Sequence, residues 1–288
     1  MDEMKKRTKW LLTAALGALS IGGYTIYKFS SRPENNPKKF KGTRKENRIV
    51  ACLGDSNTQG TMAYNFVNDL AQTMADDGYD FINAGVNGDL VYNILNRLDE
   101  VIECRPDYII LLIGTNDILA GLTKANEIKF ELKKNLPMKP NEAWFISNLT
   151  EVIARLKQET QAKLAIMSLP LISEDTDSIA FKKAIDYSQQ IQKIAINESI
   201  TYLPLNEWQL KYLEQYRPSP KKVATSPFAF FIPSFKHYVL RKPWDEISKE
   251  AGLTLTVDTV HQNKVAALMI EQLVRSFLKE MAEGEVTE

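Results

Sequence analysis

Cysteine and histidine are scarce in this sequence, with two of each among 288 residues. Two cysteines cannot form the disulfide framework of a small secreted fold, so we predict that Cys52 and Cys104 are free thiols. No group of His, Cys, Asp and Glu has the spacing of metal ligands, and we therefore expect neither a metal nor another cofactor. Internal repeats and low-complexity tracts are also lacking, which excludes a repeat architecture.

Net charge is absent too, because 36 basic side chains balance 36 acidic ones. The charges are nevertheless distributed unevenly along the sequence. Residues 1–50 hold 12 Lys and Arg against 4 Asp and Glu, whereas the remainder holds 24 against 32. The main body is therefore acidic, which argues against nucleic acid as a partner. The chain length of 288 residues suits one sizeable domain and does not require a second.

One long apolar run lies near the N-terminus, at residues 10–29, and a basic cluster precedes it. At about 1.5 Å per residue, this run can just span a hydrocarbon core. We predict that residues 1–29 form a retained membrane anchor and residues 30–47 a basic linker. The alternative is a cleaved signal peptide and a secreted protein. The leading basic cluster favours a single-pass protein of the cell membrane with an extracytoplasmic body, although more basic residues follow the run than precede it.

From residue 48 onward, short apolar runs alternate with segments of helical periodicity. This alternation is typical of an α/β domain, in which helices cover both faces of a parallel sheet. We predict strands at residues 49–53, 79–83, 108–113, 163–169 and 200–205. We predict helices at residues 63–76, 90–103, 144–160, 181–197 and 261–281.

Polar residues and a glycine follow the carboxyl ends of the first three predicted strands. Ser56 follows the first strand, Gly88 the second and Asn116 the third, while Asp258 and His261 lie near the start of the last helix. Open α/β sheets bind ligands at this edge, so we expect these segments to converge on one crevice. Taken singly, each segment is typical of an ordinary turn or helix cap.

Together, these residues supply the groups needed to hydrolyse an acyl ester. His261 can act as the base that takes the proton of the Ser56 hydroxyl, and Asp258 can orient its imidazole. The negative charge that develops on the carbonyl oxygen needs fixed donors. The Asn116 amide and the backbone N–H of Gly88 can provide them.

The same residues resemble the SGNH, or GDSL-type, family of serine esterases and lipases. The first block differs from many members in having Asn57 where they have Leu. The resemblance extends from about residue 48 to the end and implies a hydrolase domain at residues 48–288. It implies a three-layer α/β/α sandwich with a mainly parallel, flavodoxin-like sheet. It also implies a metal-independent hydrolase in which the backbone N–H of Ser56 is a further oxyanion donor.

Two insertions interrupt the domain. Residues 119–140 are rich in Lys and Glu, and we expect a solvated helix and loop. Residues 207–253 are rich in aromatics and in prolines, which argue against a long regular helix. We predict that Phe228, Phe230 and Phe231 of this insertion form a lid or a wall for the acyl chain. The alternative is that they pack among themselves as a small satellite core.

These features predict a serine-dependent carboxylic ester hydrolase that works through an acyl-enzyme. The anchor and the aromatic insertion favour lipid or lysophospholipid esters at the membrane as substrates. Two alternatives use the same catalytic groups: O-deacetylation of a carbohydrate in the cell wall, and acyl transfer to an alcohol. A third alternative is a non-catalytic binding protein that retains the fold.

Overall fold

The computed structural model describes residues 20–28, 30–40, 42, 46–216, 221, 223 and 227–286. Within these residues, five strands form one parallel sheet in the order β2-β1-β3-β4-β5. The strands are β1 (Arg48–Gly54), β2 (Tyr79–Gly85), β3 (Tyr108–Leu112), β4 (Lys163–Met167) and β5 (Thr201–Leu203). This is the flavodoxin-like strand order, so the predicted fold class is confirmed.

Helices connect the strands, and further helices follow the last strand in the sequence. They are α1 (Ser56–Gln59), α2 (Phe66–Thr73), α3 (Val91–Leu95), α4 (Asp99–Ile102), α5 (Thr115–Gly121), α6 (Lys124–Lys134), α7 (Glu142–Glu159), α8 (Ile179–Asn197), α9 (Leu205–Leu213), α10 (Pro227–Tyr238), α11 (Trp244–Glu250) and α12 (Lys264–Val286). A 3₁₀ turn occupies Ala75–Asp77, and residues 20–28 are also helical.

The side chains of the strands alternate between two hydrophobic layers, because successive residues of a strand point to opposite faces. In β1, Ala51 and Leu53 belong to a buried cluster that includes side chains of α3, α7 and α8. Val50 and Cys52 belong to a second buried cluster that includes side chains of α2 and α12. The result is three layers, with the sheet in the middle.

Three predicted helices differ from the observed ones, and the segment 63–76 is α-helical only over Phe66–Thr73. The segment 90–103 is not continuous but divides into α3 and α4. The last helix begins at Lys264 rather than at His261, because the Asn263 carbonyl Oδ1 accepts the backbone N–H of Ala266 at 3.2 Å and caps the helix. His261 therefore lies in a loop. The aromatic insertion contains α10, and Pro233 lies inside that helix.

A pair of glycines lets α1 approach the sheet closely. Gly54 and Gly85 are neighbours in the register of β1 and β2. A Cβ atom at Gly85 would lie 2.1 Å from the backbone nitrogen of Gln59, and one at Gly54 would lie 2.2 Å from Oγ1 of Thr58, both in α1. Only glycine fits at these two positions, so the first turn after β1 can pack directly over the ends of the strands.

The described part of the predicted linker packs against the domain. Arg32 forms an ion pair with Glu100 at 2.8 Å, and the backbone carbonyl of Asn35 accepts the N–H of Asn83 at 3.0 Å. No helix within the described residues is both long and apolar enough to cross a membrane. Of the predicted anchor run 10–29, residues 10–19 and 29 lie outside the described residues.

Candidate active site

Ser56 is the first residue of α1, immediately after the end of β1. The Asp55 carboxylate accepts the backbone N–H of Asn57 at 2.9 Å and so caps this short helix. Gly60 ends the helix in the left-handed conformation, with φ of 71°. The tight turn leaves the Ser56 hydroxyl at the carboxyl edge of the sheet, at the wall of the main cavity.

His261 lies between Ser56 and Asp258. Its Nε2 atom is 2.9 Å from Ser56 Oγ, and its Nδ1 atom is 2.7 Å from Asp258 Oδ2. The other oxygen of Asp258 accepts the backbone N–H groups of His261 at 2.8 Å and Val260 at 3.1 Å. Because both oxygens of Asp258 are engaged, the carboxylate and the imidazole have fixed orientations. The arrangement suits a tautomer that carries its proton on Nδ1 and accepts the serine proton at Nε2.

The charge on Asp258 changes the proton affinity of the buried imidazole. Burial alone would lower the pKa of His261, because a charged ring is poorly solvated there. The charge of Asp258, the hydrogen bond to it and the charge of Asp55 outweigh this effect and raise the pKa above its ordinary value. The imidazole is thus well suited to hold a proton for part of a reaction cycle.

The predicted oxyanion donors lie on the segments that follow the three neighbouring strands β1, β2 and β3. Gly88 has a φ of 77° in a turn closed by the Asp89 N–H and the Val86 carbonyl, at 3.1 Å. This is the position of a type II turn that favours glycine. The Asn116 amide donates to the backbone carbonyl of Asp89 at 3.0 Å and, more weakly, to Asp55 Oδ2 at 3.4 Å. In the described part of the chain, the backbone N–H groups of Ser56 and Gly88 have no protein acceptor, so both are available to a ligand.

Ser56, Gly88, Asn116 and His261 line one cavity of about 570 Å³. The remaining described residues of its lining are Ser30, Arg32, Gln59, Met62, Val86, Asn87, Leu119, Asn126, Lys129, Phe130, Lys133, Lys134, Phe230, Phe231 and Val260. The structure therefore brings the Ser, Gly, Asn and His segments together beside a space large enough for a small organic molecule.

Helix α10 supplies an aromatic wall of this cavity. The ring of Phe230 meets the imidazole of His261 edge to face, with ring centroids 5.4 Å apart. Phe231 also lines the cavity. The side chain of Phe228 lies outside the described residues. Two of the three aromatics predicted to bind substrate thus line the cavity, and one of them, Phe230, contacts His261.

Helix α6 supplies another part of the wall, and here the structure differs from the sequence expectation of a solvated excursion. Its cavity-lining residues are Asn126, Lys129, Phe130, Lys133 and Lys134. They recur at intervals of three and four residues, which places them on one face of the helix. The Lys and Glu content of the segment indicated exposure and gave no sign that one face borders a cavity.

An ion cluster below the cavity holds the Gly88 turn against the sheet. Asp89 accepts from Lys134 Nζ at 2.8 Å and from Arg97 Nε at 2.7 Å. Lys134 also donates to the carbonyl of Asn87 at 2.7 Å, and Arg97 donates to the carbonyl of Gly54 at 3.1 Å. Sequence reasoning missed this cluster, because its members come from the end of β1 and from the two connections that flank β3.

Glu174 is a second supporting residue that sequence reasoning missed. Its side chain is fully buried, and one carboxylate oxygen accepts the N–H of Leu255 at 2.8 Å, the N–H of Thr256 at 3.0 Å and the hydroxyl of Thr256 at 2.9 Å. The other oxygen accepts the N–H of Thr254 at 2.7 Å. Four donors from three consecutive residues therefore hold the loop that leads to Asp258. Among the described residues, no cluster of three possible metal ligands is present.

Comparison with protein families assigns the domain. The model of the GDSL-like lipase/acylhydrolase family matches residues 52–223, which is more than half of the chain. The chain belongs to this family. As a GDSL-like acylhydrolase, it is a carboxylic ester hydrolase, and the resemblance found in the sequence is confirmed. Ser56, Gly88 and Asn116 lie within the matched region, and Asp258 and His261 follow it. A comparison with curated proteins gave no match.

Solved structures share the fold of this GDSL-like domain. The acetyl xylan esterase AlAXEase is 21% identical with a TM-score of 0.58, and the match covers 79% of this chain and 98% of that one. The acetylxylan esterase Axe2 from Geobacillus stearothermophilus is 16% identical with a TM-score of 0.53, with coverage of 82% and 96%. A lipase/acylhydrolase from Enterococcus faecalis is 18% identical with a TM-score of 0.54, with coverage of 81% and 96%.

The pKa values of the two histidines should be shifted in opposite directions from the ordinary value. Burial lowers the pKa of His237, although its bond to the Lys242 carbonyl opposes this, whereas the pKa of His261 is raised. We expect NMR titration of the ring protons to give values on either side of about 6.5. In Asp258→Asn, burial should dominate and bring His261 below about 6.5. A His237→Gln variant assigns the signals, and a higher pKa for His237 than for His261 would contradict the expected directions of the two shifts.

Substituting Glu174 with Gln should destabilise the protein. The amide can keep its oxygen where three donors meet, but its NH₂ group then faces the N–H of Thr254. An unsatisfied buried donor costs about 1–3 kcal/mol, so the free energy of unfolding in urea should fall by that amount. The matched control is Glu151→Gln on the exposed side of α7, which should change stability by less than about 0.5 kcal/mol. Equal effects of the two substitutions would show that Glu174 does not hold the loop.

Proposed function

We propose that this ester hydrolase acts through an acyl-enzyme formed on Ser56, and that its substrates are lipid or lysophospholipid esters. The observation that carries the first part is the hydrogen-bonded series from Ser56 Oγ through His261 to Asp258, at 2.9 and 2.7 Å. These separations allow proton transfer without rearrangement of the side chains.

The reaction begins when Ser56 Oγ attacks the ester carbonyl carbon and His261 Nε2 takes the hydroxyl proton. The carbonyl oxygen becomes an oxyanion, which accepts from the backbone N–H groups of Ser56 and Gly88 and from the Asn116 amide. Asp258 stabilises the imidazolium. His261 then protonates the departing alcohol as the ester C–O bond breaks. Water repeats the sequence on the acyl-serine, releasing the acid and restoring the serine.

Two features of the cavity support an acyl group longer than acetyl. The cavity of about 570 Å³ is far larger than an acetyl group requires. Its wall includes the rings of Phe130, Phe230 and Phe231 and the side chains of Met62 and Leu119. Burial of an alkyl chain against these side chains contributes about 0.8 kcal/mol per methylene.

A membrane location is the further part of the proposal, and the course of the N-terminal segment supports it. Ser30 and Arg32, which follow the apolar run 10–29, line the cavity. The carbonyl of Ser31 accepts from Gln59 Nε2 at 2.9 Å. An anchor in residues 1–29 would therefore hold the cavity close to the surface of the membrane, on its extracytoplasmic side. Lipid esters would be the nearest substrates.

Carbohydrate O-deacetylation is the second candidate. It is supported by the fold shared with AlAXEase and Axe2, whose names describe acetyl xylan esterases. The same Ser56, His261 and Asp258 geometry would serve that reaction, with a sugar in the open part of the cavity. Acyl transfer would use the same acyl-enzyme, with an alcohol in place of water.

A fluorophosphonate probe tests the assignment of the nucleophile, because it labels only an activated serine. We expect Ser56→Ala to abolish labelling and to lower ester turnover by about a thousandfold or more, since the acyl-enzyme cannot form. Ser147→Ala, on the exposed side of α7, is the matched control and should behave as the wild type. Continued labelling of Ser56→Ala would assign the nucleophile to another residue.

The ratio of kcat/KM for octanoyl and acetyl esters tests the acyl wall. Phe231→Ser removes a ring from the cavity, so this ratio should fall about tenfold, as expected for the lost apolar contact. Ile232→Ser is the control, because Ile232 is exposed on the same helix and does not line this cavity. Equal losses for both esters would point to a folding role of Phe231. A wild type that cleaves only acetyl groups, above all on acetylated xylo-oligosaccharides, would favour the second candidate.

A further inference from the structure

The cavity has a charge that the rest of the domain does not share. Among the described residues that line it, four are basic and none is acidic; the basic ones are Arg32, Lys129, Lys133 and Lys134. By contrast, residues 51–288 hold 24 basic and 32 acidic side chains. A basic cavity in an acidic domain is a specific feature of the site rather than a consequence of composition.

Two of these four cations are compensated by acidic partners. Arg32 is paired with Glu100, and Lys134 is paired with the buried Asp89. Lys129 and Lys133 have no acidic partner within ion-pair distance in the described part of the chain. The Lys133 side chain is exposed at the mouth of the cavity, and partial desolvation and the positive charges of Lys134 and Lys129 lower its pKa. The positive charge at this wall is therefore uncompensated, and an anion there would relieve the repulsion.

The face of α6 that carries the unpaired charges of Lys129 and Lys133 lies close to the reactive groups. A Cβ atom at Gly88 would lie 2.9 Å from Cε of Lys134, so the last turn of α6 packs against the turn that carries the Gly88 N–H. Lys129 and Lys133 are four residues apart and neighbours on the same face of α6. The favourable interaction of cations with the end of a helix accounts for Lys133 and Lys134 in the last turn, but not for Lys129 in the middle.

We propose that the cavity selects esters that carry a negatively charged carboxylate or phosphate group, which Lys129 and Lys133 bind while the ester carbonyl lies at Ser56. This inference rests on the proposed function of Ser56 and names the substrate class of the same site. The basic face of α6 would hold the charged part of the substrate, and the aromatic face of α10 would hold its apolar part. The negative charge can lie at the end of the acyl chain or on the alcohol.

Two pairs of esters distinguish these sources, with the full-length protein as the enzyme. The first pair is the 4-nitrophenyl half-ester of glutaric acid and its methyl ester, which differ by a charge on the acyl side. The second pair is a monoacylglycerol phosphate and the corresponding monoacylglycerol, which differ by a charge on the alcohol side. We expect the wild type to prefer the anionic member of one pair by about tenfold in kcat/KM, the lower end for a hydrogen bond between charged groups. The pair that shows the preference identifies the source.

Variants of α6 test whether the lysines cause the preference. Lys129→Gln/Lys133→Gln should abolish it, and Lys129→Glu/Lys133→Glu should reverse it. Lys124→Gln/Lys139→Gln is the matched control, because it removes two charges that pair with Glu127 outside the cavity and should retain the preference. The wild-type preference should also fall when the ionic strength rises from about 0.05 to 0.5 M, because salt screens exposed charges.

Two outcomes with an enzyme that cleaves these esters would overturn the inference. One is a wild type that cleaves the neutral member of each pair as well as the anionic member. The other is a preference that persists in Lys129→Gln/Lys133→Gln. In both cases Ser56 would still react with a fluorophosphonate, and the proposed function would stand. Absence of hydrolysis of all four esters, with Ser56 still labelled, would likewise reject the substrate class. An unlabelled Ser56 would instead reject the proposed function.

Discussion

The hydrogen bond between His261 and Ser56 joins two segments that are 205 residues apart in the chain. Much of the surrounding structure keeps that separation constant. The glycine pair in β1 and β2 brings Ser56 down to the ends of the strands, and the carboxylate of Glu174 holds the loop before Asp258. A direct bond from the N–H of Gln262 to Asn57 Oδ1, at 3.1 Å, joins the two segments beside the reactive groups.

The fold and the convergence of the candidate site segments on one cavity could be predicted because their signals are local. Apolar runs of strand length predicted the sheet, and Ser56, Gly88 and Asn116 follow the carboxyl ends of strands. Glu174 could not be predicted, because three of its four donors are backbone N–H groups about 80 residues away, which leave no mark in the sequence. The contribution of α6 to the cavity wall could not be predicted for another reason. The composition of a helix does not show which of its faces borders a cavity.

Three buried acidic side chains lie near the cavity, and their negative charges are compensated in two ways. Asp89 is neutralised by Arg97 and Lys134. Burial raises the pKa of Asp55 to about 6 and that of Asp117 to about 7, with the neighbouring carboxylates adding to the effect. Near neutral pH Asp55 is therefore still mostly ionised, whereas Asp117 is protonated for a substantial fraction of the time, which reduces the negative charge of this layer. The field at the cavity is correspondingly more favourable to anions.

The N-terminal segment is part of the cavity wall, because Ser30 and Arg32 face the same space as Ser56. Binding of a ligand and docking of the segment are therefore thermodynamically linked. A ligand that contacts these residues strengthens the attachment of the segment to the domain, and a stronger attachment increases the affinity for the ligand by the same factor. A mechanical force or a binding partner that acts on the N-terminus would therefore change the affinity for substrate.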